Sequence, residues 1–235
     1  MEERSKEVAQ FWEDLRIDPV ELAVGTRSGY TLRAYRMSDT LPNWKGNLSD
    51  PPVSDDPEST DNPDPDEMDF DANDAEPEEV PVMLARKGKL LVFEDPEDLV
   101  KYVRENDDSE LAWLEEYGKL QEDLEASHVE ADEADVYDLS SIVPDLRQGT
   151  WNHEELIAAG EIARDVAYVC DLEGVSDALD PGSPLDQLDN HLRDSVEGGL
   201  KAVRANRKIK KASTEQTAIA WRSVVGKMGE AVDWR

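Results

Sequence analysis

Residues 19–37, PVELAVGTRSGYTLRAYRM, contain the pattern that decides the fold. Two runs rich in aliphatic and aromatic residues, 20–24 and 30–37, flank the turn-forming sequence GTRSG. Such runs on both sides of a glycine-containing turn are typical of a β-hairpin. The sequence VPVMLARKGKLLVFED repeats this arrangement, with runs 80–85 and 89–93 around RKGK. The two hairpins together predict one four-stranded antiparallel sheet.

Apolar residues at helical spacing occupy most of the remaining chain. They predict helices over residues 5–16, from Asp95 to near Arg104, and within 109–126. A short run at 135–139 predicts a further strand. Beyond Gly149 the pattern is wholly helical, with predicted helices after Asn152 and over 185–196, 200–211 and 214–234. The predicted fold class is α+β: an antiparallel four- to five-stranded sheet with helices, followed by an all-α C-terminal half.

The change of pattern near residue 149 predicts the domain organisation. An N-terminal helix is expected over 1–18, an α+β domain over 19–148 and a helical domain over 149–235. Residues 49–79 interrupt the α+β domain with fourteen Asp and Glu residues, six prolines and no Lys or Arg. Charge repulsion and the scarcity of apolar groups predict a disordered acidic insertion. The sequence leaves open whether this insertion has a function or only increases solubility.

The charge balance of the whole chain restricts its partners. The 56 acidic and 25 basic residues give a net charge of −31, which repels phosphate backbones and anionic membranes unless a basic patch is segregated locally. We therefore expect a basic or partly unfolded protein partner and no direct nucleic-acid binding. No run of about 18 apolar residues predicts a membrane span, and no signal peptide is recognisable. With one cysteine the chain is expected to be cytoplasmic, and its oligomeric state is left open.

No motif in the sequence predicts catalysis. His128, His153 and His191 are scattered without a second ligand at metal-binding spacing, and the acidic runs lack the order of a calcium loop. Neither a nucleophile elbow nor a phosphate-binding glycine loop is present. Cys170 lies within a helical apolar stripe, which favours a place in the core. We expect no enzyme, no catalytic residue, no metal and no cofactor.

Two sets of residues are candidates for partner binding. The first combines an aromatic residue before the acidic insertion with acidic and aromatic residues inside it: Trp44, Asp64, Asp66, Glu67, Asp69, Phe70 and Asp71. The second is a run with no acidic residue, KAVRANRKIKK, whose basic members are Lys201, Arg204, Arg207, Lys208, Lys210 and Lys211. This run is either a solvated helix that neutralises acidic neighbours or a patch that anchors an anionic surface, including nucleic acid or the chain's own acidic insertion.

Several strings resemble known actinobacterial proteins. GYTLRAYRM, VPVMLARKGKLLVFEDPEDLVKYVR, ELAWLEEY, DVYDL and AIAWRSVVGKMGEAVDWR together resemble a family of small acidic proteins labelled "primosomal protein". YTLRAYR, LLVFEDPEDLVKYVR, YDL and the stretch from VEGGL to RKIKK are also similar to the family of SatS, an export chaperone that supports the accessory SecA pathway. These strings consist of packing and turn residues, so they imply a shared architecture rather than a shared activity.

Two functional hypotheses follow from the charge, the missing motifs and the resemblance. The first is a non-catalytic cytoplasmic interaction protein, chaperone-like or adapter-like, that binds its partner through an acidic surface. The second is a regulator of the replication or transcription machinery that acts as an acidic mimic of nucleic acid. The partner's identity distinguishes them, because the first hypothesis predicts secreted precursors and the second predicts polymerase or primosome subunits.

Overall fold

The computed structural model describes residues 5–41 and 77–235. Within these ranges the strands are β1 Asp18–Val24, β2 Arg27–Met37, β3 Glu79–Met83, β4 Ala85–Arg86, β5 Lys89–Val92, β6 Val136–Asp138 and β7 Val232–Trp234. The helices are α1 Lys6–Leu15, α2 Pro96–Glu105, α3 Tyr117–Asp123, α4 Leu139–Gln148, α5 His153–Cys170, α6 Glu173–Leu179, α7 Pro184–Glu197, α8 Gly199–Ile209 and α9 Thr214–Ala231. The chain is therefore α+β, as the sequence predicts.

The chain divides into two compact units, Met1–Ala34 with Pro81–Arg235 and Tyr35–Val80. In the second unit the described residues include a 3-10 turn, Ser38–Thr40. The Ser38 backbone N–H donates to the carbonyl oxygen of Glu78 at 2.8 Å. In return, the Glu78 N–H donates to the Ser38 hydroxyl at 3.2 Å. These two bonds join the two described ends of this unit. The remainder of the predicted acidic insertion lies outside the described residues.

The first sheet contains the predicted N-terminal hairpin. β1 and β2 pair antiparallel and turn through Gly25, whose φ of 68° requires the left-handed conformation that glycine adopts readily. The strand order is β3-β2-β1-β6. β6 joins β1 in parallel, with Leu22 opposite Tyr137. The prediction of a purely antiparallel sheet is therefore wrong, because the chain returns to β1 through helices and can enter beside it in the same direction.

The second predicted hairpin is divided between two sheets. β3 belongs to the first sheet, whereas β4 and β5 form a second sheet of order β4-β5-β7. The division falls at Leu84, whose N–H donates to the Leu32 carbonyl and whose carbonyl accepts from Leu91 N–H, both at 2.9 Å. The predicted run 80–85 thus contains two strands rather than one. β7 pairs with β5 in parallel, so the helix predicted over 214–234 ends at Ala231.

Helix caps account for several of the helix boundaries. The side chain of Ser5 caps α1, Asp95 accepts from the Glu97 N–H at 3.0 Å before α2, and Asn152 caps α5. The predicted helix within 109–126 separates into a 3-10 turn, Glu110–Trp113, and α3. The sequence pattern did not predict α4, which contains Pro144. Proline removes one backbone donor and so weakens the sequence signal for a helix.

One apolar cluster contains residues from the sheets and from the C-terminal helices. Val20 and Leu22 of β1 are fully buried in it, together with Val166 of α5 and Val224 and Met228 of α9. The cluster therefore includes side chains from both sides of residue 149. The domains predicted at 1–18, 19–148 and 149–235 stay predictions.

Gly29 marks the closest approach of β2 to the end of β5. The N–H groups of Tyr30 and Phe93 donate to each other's carbonyls at 2.7 and 2.9 Å. A Cβ atom on Gly29 would lie 2.4 Å from the Phe93 carbonyl oxygen. We expect Gly29→Ala to lower the free energy of unfolding by about 1–3 kcal/mol, because backbone atoms must move to accept the methyl group.

Urea denaturation followed by tryptophan fluorescence measures this loss. Gly118→Ala in α3 is the matched control, since a Cβ there would meet no atom within 4 Å. Equal unfolding midpoints for the two variants would contradict the close approach of the Gly29 backbone to the Phe93 carbonyl.

Candidate functional site

A groove of about 930 Å³ lies among β6, α4 and α5. Its described lining includes six carboxylates and no Lys or Arg: Asp132, Glu133, Asp138, Asp145, Glu154 and Glu155. Apolar atoms complete the lining, since Val136, Tyr137, Leu139, Ala158 and Ala159 also belong to it. We call this surface the acidic groove. A wall of carboxylates around apolar atoms fits a ligand that is both cationic and partly apolar.

Two helix caps fix part of the groove wall. The Asp138 carboxylate accepts from the Ser140 N–H at 2.9 Å and begins α4. The Asn152 side chain accepts from the N–H groups of Glu154 and Glu155 at 3.1 and 3.4 Å and begins α5. Each cap fixes the residue at which its helix begins. Because the first turns of α4 and α5 line the groove, the capping residues also determine the position of its wall.

A buried arginine, Arg33, holds Tyr137 in the lining of the groove. The Arg33 guanidinium of β2 donates to the Tyr137 hydroxyl at 3.1 Å and to the Asp165 carboxylate of α5 at 3.1 Å. A second guanidinium nitrogen pairs with the Asp135 carboxylate at 2.5 Å. The side chains of Arg33, Asp135 and Asp165 are only 8%, 14% and 13% exposed. This Arg33 cluster joins the first sheet to α5 and holds Tyr137, which lines the groove.

Burial raises the pKa of the Tyr137 phenol above its ordinary value, and the positive charge of Arg33 opposes that shift. The phenol therefore stays protonated at neutral pH, and its oxygen accepts the hydrogen bond from Arg33. Tyr137 is 6% exposed, whereas its neighbour Val136 is 44% exposed. The neutral phenol thus forms a fixed floor, and Val136 offers apolar surface at the groove.

β6 lies at one end of the strand order in the first sheet. In the described part of the chain it pairs with β1 alone, and Val136, Tyr137 and Asp138 also line the groove. The outer edge of a strand presents backbone N–H and C=O groups that can pair with another extended chain. The acidic groove therefore combines carboxylates, apolar side chains and a strand edge.

The two sets of candidate partner-binding residues predicted from the sequence lie in different parts of the chain. Trp44, Asp64, Asp66, Glu67, Asp69, Phe70 and Asp71 lie outside the described residues. Lys201, Arg204, Arg207 and Lys208 are exposed on α8, and Lys210 and Lys211 are exposed in the turn that follows. None of these basic residues lines the acidic groove. The structure therefore separates the cationic surface from the anionic one.

The residues considered for chemistry have structural surroundings. Cys170 is 5% exposed in the apolar cluster, as its place in the helical stripe predicts. A ring nitrogen of His153 lies 3.1 Å from the Ser195 hydroxyl, which donates to the Asn206 side chain at 3.2 Å. This chain of contacts ties α5 to α7 and α8. Within residues 5–41 and 77–235, no three or more His, Cys, Asp or Glu side chains are grouped to hold a metal.

Sequence reasoning did not find the acidic groove. In the sequence, Asp132 and Glu133 lie in a charge-rich stretch with no pattern that distinguishes them from solvated surface residues. The available signal was the spacing of acidic residues around two caps, Asp138 and Asn152, but the caps come together only when α4 and α5 pack. Glu154 and Glu155 reach the same groove because they begin α5.

The described helices include none with the length and apolar content required to cross a membrane.

The fold is shared with a solved structure, the crystal structure of the SatS C-terminal domain in complex with bromine. The two chains superpose with a TM-score of 0.63 at 22% sequence identity, over 96% of this chain and 97% of that chain. At this level of identity the likeness defines the class of fold alone. This protein is therefore an α+β protein with the architecture of that domain.

The family follows from the sequence itself. The model of the SatS C-terminal domain family matches residues 75–228, which is more than half of the chain. The chain belongs to the SatS C-terminal domain family. No curated protein matches it. The relation to SatS inferred from YTLRAYR and the neighbouring strings is confirmed at the level of this family.

Replacement of Arg33 tests whether the Arg33 cluster supports the groove. We expect Arg33→Met to lower the free energy of unfolding by about 3–5 kcal/mol, because it leaves two carboxylates buried without their cation. Urea denaturation at neutral pH measures the change.

The matched control is Arg16→Met, which removes an ion pair with Glu116 in which the arginine side chain is 70% exposed. An exposed pair contributes about 0–1 kcal/mol. If both variants lost the same small amount of stability, the Arg33 cluster would not be the support of the groove.

Proposed function

We propose that this protein is a non-catalytic, chaperone-like or adapter-like protein that binds basic or partly unfolded protein segments in the acidic groove. The observation that carries the proposal is the combination of six carboxylates with apolar side chains in one groove of about 930 Å³. A site for a small-molecule substrate presents a few precisely placed polar groups. A site for an extended client segment instead presents charge and apolar surface over the length of several residues.

The edge of β6 supports the binding of an extended segment. A client strand beside β6 would form backbone hydrogen bonds that do not depend on its sequence. Alternate side chains of that strand would face opposite ways. Basic side chains could then meet Glu133, Glu154 and Glu155, while apolar ones contact Val136. Binding by backbone and charge suits a protein that accepts different clients.

The charge of the whole chain supports the same proposal. A net charge of −31 attracts cationic segments from a distance and raises their rate of association by about 10–1,000-fold. Salt screens this attraction over about 8 Å at physiological ionic strength. We therefore expect client binding to weaken as salt rises.

Membership of the SatS C-terminal domain family agrees with a chaperone-like, export-related role. Similarity to the export chaperone SatS supports clients that are held partly unfolded before export, and hence a cytoplasmic location. The alternative, a regulator that mimics nucleic acid, depends on the acidic residues of 49–79, most of which lie outside the described residues. The likeness to the proteins labelled "primosomal" likewise stays a prediction.

Neutralising the groove tests the proposal. The triple variant Glu133→Gln, Glu154→Gln, Glu155→Gln removes three exposed carboxylates of the groove. The probe is a fluorescein-labelled peptide in which lysines alternate with valines, and fluorescence anisotropy measures its binding to the full chain. We expect the triple variant to bind about tenfold more weakly, because each exposed ion pair contributes about 0.2–1 kcal/mol.

The control variant, Glu7→Gln, Glu173→Gln, Glu215→Gln, has the same change in charge. These three glutamates are exposed and lie in the first turns of α1, α6 and α9, away from the groove. A second peptide with glutamates in place of the lysines measures the dependence on client charge. Equal weakening in both variants, or binding of the lysine peptide that ignores salt, would contradict the groove as the client site.

A further inference from the structure

The hairpin of α7 and α8 has an unusual tip. One residue, Gly198, separates the two helices, and its φ of 89° is followed by 71° at Gly199. Both angles lie in the region that glycine adopts without strain. The chain therefore reverses sharply, so that Glu197 ends one helix where Gly199 begins the next.

The inner face of the hairpin is buried. Leu185, Leu188 and Leu192 of α7 are buried, as are Ala205 and Ile209 of α8. Because each helix already packs this face against the protein, its opposite face points to solvent. Leu200 and Val203 of α8 lie on that opposite face, whereas Val196 continues the buried stripe of α7 one turn beyond Leu192 and is itself exposed.

Aliphatic side chains cover the tip. Leu200 is 89% exposed, Val203 is 53% exposed and Val196 is 48% exposed. A single exposed aliphatic residue is common on protein surfaces, but here three lie within eight residues on the two sides of one tight turn. We call Val196, Leu200 and Val203 the hairpin tip. Since Leu200 is almost fully exposed, no other described part of the chain covers it.

Basic side chains continue the outer face beyond the hairpin tip. Helical spacing places Arg204 and Arg207 on the side of Leu200 and Val203, and Lys211 lies in the turn that directly follows α8. These basic residues are exposed. In the described part of the chain, Lys201 at the start of α8 pairs with Glu197 at 3.7 Å, and both side chains are at least 69% exposed. The cationic charge is therefore available to an external anion.

We propose that the hairpin tip and the basic residues of α8 dock the protein on an anionic lipid bilayer. The aliphatic residues would enter the boundary between headgroups and acyl chains, and the basic residues would contact lipid phosphates. The protein would lie on the membrane surface without crossing it. This site is independent of the acidic groove and of the clients proposed for it.

The composition of the hairpin favours a bilayer over nucleic acid. Residues 196–211 contain no aromatic side chain on which a base could stack. Exposed aliphatic side chains bury little apolar surface against a phosphate backbone and so add little binding free energy there. In a bilayer they are buried among acyl chains, which is favourable. A bilayer also accepts a projecting turn without a matching cavity, which a folded protein partner would have to supply.

Flotation of the full chain with lipid vesicles tests the inference. Vesicles of phosphatidylcholine are compared with vesicles that also contain phosphatidylglycerol. We expect binding to the anionic vesicles alone, and weaker binding as salt rises. The variant Arg204→Gln, Arg207→Gln, Lys211→Gln should bind about a hundredfold more weakly, and Leu200→Ser about tenfold more weakly.

Matched controls separate local contact from total charge. Lys101→Gln, Lys119→Gln, Arg222→Gln removes three exposed basic residues elsewhere, and Ile219→Ser removes a 59% exposed aliphatic residue from α9. Both controls should bind anionic vesicles as the original chain does. All variants should keep its binding of the lysine–valine peptide, which separates this inference from the client site.

Three results would overturn the inference. The first is no binding to anionic vesicles, and the second is equal loss of binding in the hairpin and control variants. The third is binding of single-stranded DNA that depends on Arg204, Arg207 and Lys211 while vesicles stay unbound, which would make the surface a nucleic-acid site. Soluble glycerophosphate should not compete with vesicles, since it supplies the phosphate without the acyl boundary.

Discussion

The buried guanidinium of Arg33 is the contact on which the arrangement of sheet and helices depends. It joins β2 to Asp135 beside β6 and to Asp165 in the middle of α5. Burying a cation is costly unless carboxylates and hydrogen bonds replace its water, and here two carboxylates and the Tyr137 hydroxyl do so. Because the partners must meet this geometry together, the Arg33 cluster fixes where β6 and α5 lie, and therefore fixes the groove between them.

Backbone hydrogen bonds join the two small sheets in a similar way. Leu84 donates to the first sheet and accepts from the second, and Tyr30 exchanges two hydrogen bonds with Phe93. β7 brings the last described residues beside β5. Except for Leu84 with Leu91, these pairings join segments far apart in sequence, so their formation follows closure of long loops. A sheet assembled in this way leaves β6 at an edge, where the groove can use it.

Charge separation gives this acidic protein two different surfaces. The acidic groove gathers its carboxylates from a loop, β6, α4 and α5, whereas the exposed basic residues of α8 continue one helix face. The basic run was evident from sequence because its members are adjacent in the chain. The groove was not, because Asp132 and Glu155 become neighbours only through packing. Trp44 and the acidic residues 64–71 stay predictions of the sequence alone.

The sequence by itself determined the elements whose signals are local. Alternation and turn residues specified the hairpin of β1 and β2, and side-chain caps such as Asp95 and Asn152 specified helix starts. Tertiary structure alone decided which strands pair when they are far apart in sequence. The short run 135–139 predicted β6 but not its parallel partner β1. β7 has three residues, too few for a periodic pattern, and it becomes a strand because β5 offers an edge beside it. Position in a sheet depends on the partner's free backbone groups, which no local stretch of sequence encodes.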